Sequence, residues 1–164
     1  MAGNVENAVL STAEGPNALT GKVPGTAVAS VVLGAVGVLT SFAVLPGLTI
    51  AALNGTLAGG SLGMALACDL RIAVPSANIF YPVMKRGFLP QPSDPQRMAA
   101  LIGPARTKLI LIAGQKISAD EAYGFGLIDR IVPSDELIDT ARALAADTLA
   151  ADPEIARGIA ALCQ

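Results

Sequence analysis

The chain has no histidine and no tryptophan among its 164 residues. Without histidine there is no Ser-His or Cys-His nucleophile pair, no His-ligated metal and no imidazole base poised near neutral pH. Aromatic residues make up only 4%, too few for a platform on which bases stack. A net charge of −2 gives no basic footprint, so nucleic acid is excluded as a partner. The two cysteines, Cys68 and Cys163, cannot form a four-thiolate zinc site and have no C-x-x-C spacing, so no metal is expected. They suit two free thiols in a reducing, cytoplasmic setting. MAGNVENAV carries acids where a secretory signal would carry bases, so no such signal is expected.

Charge is also missing locally: no charged residue lies between Lys22 and Asp69. The apolar part between Pro24 and Pro46 has the length of a membrane span. Its early Gly, Thr and Ser residues and the Pro46-Gly47 break argue instead for buried strands. Ala8–Leu10, Val31–Leu33 and Leu48–Leu53 are short apolar runs bounded by Gly or Pro, as in parallel strands covered on both faces. Leu62, Ala65 and Leu66 follow Gly59-Gly60 at helical spacing, and Asp69–Val74 reads as the next strand.

The second half is helical. Ser93-Asp94-Pro95 starts a helix, with Pro95 where a missing N–H is harmless. Gly103-Pro104 closes that helix and opens another. Ser118-Ala119-Asp120-Glu121 has the form of a capping box. Leu137, Ile138, Ala141, Leu144, Ala145 and Leu149 make an apolar stripe on a helix beginning near Ser134–Glu136. Strands first and helices last indicate an α/β or α+β domain in one piece.

Gly59-Gly60-Ser61-Leu62-Gly63 fits the G-x-S-x-G pattern of a hydrolase nucleophile elbow. With no histidine and no nearby lysine, Ser61 has no base to take its proton. The glycines leave two uses open: a turn packed tightly on its neighbours, or backbone N–H groups presented at a helix start to a developing oxyanion.

The stretch LTIAALNGTLAGGSLGMALACDLRIA resembles the crotonase family, the enoyl-CoA hydratases and isomerases. Phe80, Pro82, Gly87, Pro90, Gln96-Arg97, Ala113-Gly114, Ile117-Ser118-Ala119 and Gly126-Leu127-Ile128 continue the resemblance in register. Upstream, AVLSTAEGPNALTG is similar to the family's first strand and its N-A-L turn. The resemblance implies an α/β fold: a ββα superhelix, contracted in the N-terminal half and followed by C-terminal helices. Residues 1–133 would form the core, and residues 134–164 a helical oligomerisation region of the same domain.

It also implies an acyl-CoA thioester as substrate, with coenzyme A part of that substrate and no separate cofactor. Gly60 would supply an N–H to the thioester oxygen, with Gly59, Ala52, Asn54 and Gln91 as substrate-binding residues. A homotrimer or hexamer would bury the surplus of apolar residues. Two departures matter. The hydratases carry one glutamate in the helix after the Gly turn, where this chain has Gly63. They carry the second after the proline of the next strand, where this chain has Val83. Neither residue moves a proton. The loop giving the second oxyanion N–H is not found between Leu19 and Leu48.

Asp94 reads first as the N-cap before Pro95. Alternatively its carboxylate faces the acyl pocket and shuttles a proton in a double-bond shift. Tyr81 reads as strand-end packing, or as a hydrogen-bond donor to an enolate. Gln91 and Ser93 lie on the same segment, and Asp69 is expected to be structural. Lys85, Arg86 and Lys108 are solvated bases or partners of CoA phosphates. The chain is therefore either an enzyme of weakened hydratase/isomerase chemistry or a non-catalytic binder that keeps the fold; a membrane protein is the third expectation.

Overall fold

The computed structural model describes residues 28–33, 39–45 and 47–163. Eight strands and six helices lie within them. The apolar span read from the sequence is not a helix there. Val28–Leu33 (β1) and Leu39–Leu45 (β2) pair antiparallel, and β2 pairs antiparallel with Leu48–Leu53 (β3). No helix among the described residues is long and apolar enough to cross a membrane. The strand expected at Ala8–Leu10 lies outside the described residues.

A ββα unit then repeats. β3 is followed by Leu57–Ala58 (β4) and Gly60–Leu66 (α1); Leu70–Ala73 (β5) and Asn78–Phe80 (β6) precede Val83–Arg86 (α2) and Ser93–Leu111 (α3). Strands at equivalent places in the two units lie side by side and parallel, β3 with β5 and β4 with β6. Ile117–Ser118 (β7) joins β6 antiparallel, Ala119–Phe125 (α4) follows, and Arg130–Ile131 (β8) completes the first sheet beside β5. The two sheets have the orders β1-β2-β3-β5-β8 and β4-β6-β7. Advancing each unit by one strand in both sheets generates the superhelix expected from the resemblance.

β3 forms because its residues can be apolar on both faces. Ile50, Ala51, Ala52 and Leu53 are all buried, with α5 (Leu137–Ala150) against the sheet. Ile72, Ile79, Leu62, Met98, Ile117 and Leu127 extend the same core. Each such side chain contributes about 1.5–3 kcal/mol by leaving water.

The helix boundaries follow local chemistry. Ser118 and Glu121 cap α4 reciprocally, with Glu121 N donating to Ser118 Oγ at 3.2 Å and Ser118 N donating to Glu121 Oε2 at 2.9 Å. The expected break at Gly103-Pro104 is a kink inside α3, where Gly103 takes φ 79° and ψ 162°. Pro153–Leu162 (α6) starts at the Asp152 cap and buries none of its residues.

The starts of β3 and β5 are tied by Asp69, whose carboxylate accepts from Thr49 N and Thr49 Oγ1, each at 2.6 Å. Arg71 sits inside β5 at 3% exposure. Its guanidinium donates to the carbonyls of Leu127 (2.8 Å), Cys68 (2.6 Å) and Asp69 (3.2 Å), and it pairs with Asp129 at 3.5 Å. The one charge within the strand LRIA thus ties β5 to the segment entering β8.

Candidate functional site

The Gly59-Gly60 turn joins β4 to α1. Gly59 has φ 57°, a left-handed backbone that glycine adopts without strain. Leu62 N and Gly63 N both donate to Gly59 O, while the Gly60 N–H takes no partner among the turn and cap hydrogen bonds. Gly60 is exposed, and a Cβ there would meet nothing within 4 Å. Ser61 is engaged in the turn. Its hydroxyl donates to Ala58 O at 2.8 Å and accepts from Ala58 N at 3.2 Å. That pairing fixes the turn and leaves Ser61 no nucleophilic role.

Gly60 opens onto a cavity of about 530 Å³ whose lining also includes Gly63, Met64, Tyr81, Leu89, Gln91 and Asp94. Asp94 lies in the first turn of α3. The expected N-cap role is not what the structure shows: Pro92 is the cap residue, and no side chain caps the helix. The Asp94 carboxylate turns inward instead, at 3% exposure, and accepts a hydrogen bond of 2.9 Å from the Tyr81 hydroxyl. Ser93 Oγ lies 3.4 Å from its other oxygen, and Arg97 Nη1 donates to Ser93 Oγ at 3.3 Å. Asp94 N donates to Gln91 O at 2.9 Å, which fixes the loop leading into α3.

Tyr81 closes the strand end after β6 and is buried at 5% exposure. Its phenol is pushed above the ordinary tyrosine value first by burial and then by the adjacent Asp94, with a Gln91 backbone contact pulling the other way. It therefore remains a proton donor at neutral pH. Of the lining groups, Asp94 is the one carboxylate among the described residues that faces this cavity.

The structure therefore brings Gly60, Tyr81, Gln91, Ser93 and Asp94 together. Gly59 is adjacent as the cap residue of α1. Ala52 and Asn54 are not part of this lining. Ala52 is sealed within β3 at 2% exposure, and Asn54, just past the C-terminal end of β3, accepts from Ser134 Oγ at 3.3 Å. Lys85, Arg86 and Lys108 are exposed and do not line this cavity; Lys85 borders a separate cleft with Lys116. Val83 is buried at 4% exposure beside a groove of Met84, Phe88 and Pro104. Phe88 and Leu89, 55% and 90% exposed, were not singled out from sequence; two apolar residues in a Gly- and Pro-rich loop were the available signal.

Cys68 Sγ donates to Met64 O at 3.6 Å. Burial raises its pKa, and Arg71 opposes that rise. No group of three or more potential metal ligands occurs among the described residues.

Residues 29–162 match the family described as Enoyl-CoA hydratase/isomerase. The chain is 38% identical over 121 residues to Enoyl-CoA hydratase domain-containing protein 2, mitochondrial, of Homo sapiens, covering 71% of this chain and 41% of that protein. It is 38% identical over 96 residues to the Short-chain-enoyl-CoA hydratase of Clostridium acetobutylicum, covering 58% of this chain and 37% of the relative. Among solved structures, a putative enoyl-CoA hydratase from Thermobifida fusca in complex with CoA superposes with a TM-score of 0.66 at 31% identity. The match covers 70% of this chain and 44% of that one. The chain spans less than half the length of each of these relatives.

Proposed function

Because the chain belongs to the enoyl-CoA hydratase/isomerase family, we propose that it binds an acyl-CoA thioester and stabilises the enolate formed from it. The observation that carries this is the convergence of two features on one cavity: the free Gly60 backbone and the buried Tyr81–Asp94 pair. The Gly60 N–H donates to the thioester oxygen as negative charge develops there. Asp94 moves the proton, and Gln91 borders the substrate. The coenzyme A belongs to the substrate, and no further cofactor is needed. Gly60 is the single oxyanion donor assigned, and losing one of two such donors costs about 10²–10³ in rate, so turnover is slow.

A second function, a non-catalytic acyl-CoA binder, is favoured by Gly63 and Val83, neither of which can move a proton. Assembly as a trimer or hexamer is part of the proposal, because Ile155, Ile159 and Leu162 of α6 are exposed. So is a cytoplasmic setting, which suits the free thiols of Cys68 and Cys163.

The test is thermal and urea unfolding of the full chain with crotonyl-CoA, and with free CoA as control. A ligand at 100 times its dissociation constant adds about 2.7 kcal/mol of stability. Stabilisation by crotonyl-CoA beyond that by CoA supports thioester binding. No shift with either removes the proposal.

A further inference from the structure

Gly63 lies inside α1, where glycine is the least favourable residue other than proline. Its backbone is ordinary helix with no left-handed φ, so conformation does not demand a glycine there. Space does. A Cβ on residue 63 would lie 2.5 Å from Asp94 Oδ2 and 2.9 Å from both Cγ and Oδ1. The whole carboxylate rests against the bare Cα of Gly63, and the Tyr81 hydroxyl donates to Oδ2.

We infer that Gly63 and Tyr81 are positioning residues that seat the Asp94 carboxylate as the base of the proposed enolate chemistry. The inference rests on the thioester-binding proposal above and deepens it. Oδ2 is committed to Tyr81, whereas among the described residues Oδ1 has only the 3.4 Å contact with Ser93, so Oδ1 takes the proton. From a 3-enoyl-CoA, Asp94 removes a proton at C2. The electron pair of that C–H bond spreads onto the thioester oxygen and over C3 and C4. The carboxyl returns the proton at C4, and the double bond moves from C3–C4 to C2–C3. Nothing is oxidised or reduced, and no water or second base is consumed. Tyr81, protonated and buried, cannot serve as that second base.

The experiment uses the full chain with 3-hexenoyl-CoA, followed by formation of the conjugated 2-enoyl thioester and by deuterium uptake from D₂O. Asp94→Gly should lose about 10²–10⁴ in rate, the worth of a general base. Gly63→Ala should lose as much, because its methyl takes the carboxylate's place. Tyr81→Phe should lower kcat by up to about 10²-fold while KM stays put, since the ring still packs but the oxygen is released. Gly63→Asp in the Asp94→Gly background should recover activity, because the Cβ of residue 63 is within an aspartate's own reach of the Oδ2 position.

Unfolding supplies a readout independent of turnover. Gly63→Ala should destabilise the chain, and the same change in the Asp94→Gly background should not. Equal losses in both backgrounds, a wild-type rate in Gly63→Ala, or hydration of crotonyl-CoA with no Asp94-dependent shift would overturn the inference. If no acyl-CoA stabilises the wild-type chain while the two backgrounds still differ, thioester binding fails and the seat alone survives.

Discussion

Arg71 and Asp94 are both charged side chains at 3% exposure, and their surroundings are opposite. Arg71 has its donors matched to three backbone carbonyls and to Asp129, within strands that nothing else needs to enter. Asp94 has one good donor, one long contact and an open cavity in front of it. A charge whose partners are all protein is a fastener, and its value is stability. A charge left partly unmatched beside a cavity is held ready for something that comes and goes.

Replacement separates the two. Asp94→Asn keeps an oxygen for the Tyr81 hydroxyl, so turnover of a 3-enoyl-CoA should fall by about 10²–10⁴ while the urea midpoint scarcely moves. A midpoint shift as large as that of an Arg71 variant would make Asp94 a second fastener and end the contrast. Arg71→Met should cost about 3 kcal/mol by urea unfolding, because the carbonyls of Cys68, Asp69 and Leu127 lose their donor. The stabilisation added by crotonyl-CoA should survive that change.

A smaller effect distinguishes the two clusters by pH. Tyrosine ordinarily titrates near 10, and the Tyr81 phenol lies above that. A raised folded-state value contributes stability in full below about pH 10 and loses it as pH climbs through the folded value. The wild-type chain should therefore lose stability as pH rises above about 10, and Tyr81→Phe should lose less over the same rise. Urea midpoints at successive pH values measure it, and parallel losses would detach Tyr81 from the site. The smallest effect is chemical. Burial raises the Cys68 thiol, whereas Cys163 is exposed, so iodoacetamide should label Cys163 first.

The fold was legible where one stretch of sequence decides it. β3 is apolar on both faces, α4 carries its own capping box, and the Gly-Gly turn announces α1. The short strands β4, β7 and β8 carry too few residues for a period to show. They exist because a neighbouring strand pairs with them. At the site, Gly60, Tyr81 and Asp94 were each visible as residues, but the bond between Tyr81 and Asp94 is made by the fold. Read locally, Asp94 before Pro95 is a helix cap, and the burial that turned it inward comes from elements outside its own segment. Two anomalies did carry signal: an arginine in an apolar strand and a glycine inside a helix. Both proved to mark a buried charge, Arg71 itself and the carboxylate on Gly63.

The Arg71 cluster also imposes an order in time. The Leu127 carbonyl that receives its Nε lies 56 residues further along the chain, and Asp129, which accepts from the Arg71 backbone, lies 58 further. While the chain is being made, β5 emerges with a guanidinium that has the Cys68 and Asp69 carbonyls at hand but not yet Leu127 or Asp129. Until they arrive, water must satisfy it, because burying it alone is prohibitive. β5 therefore cannot be sealed when its own residues are complete; the sheet waits for the segment after α4. Contacts this distant in sequence form slowly, so the two-residue β8 closes onto β5 only after the chain between them has been laid down.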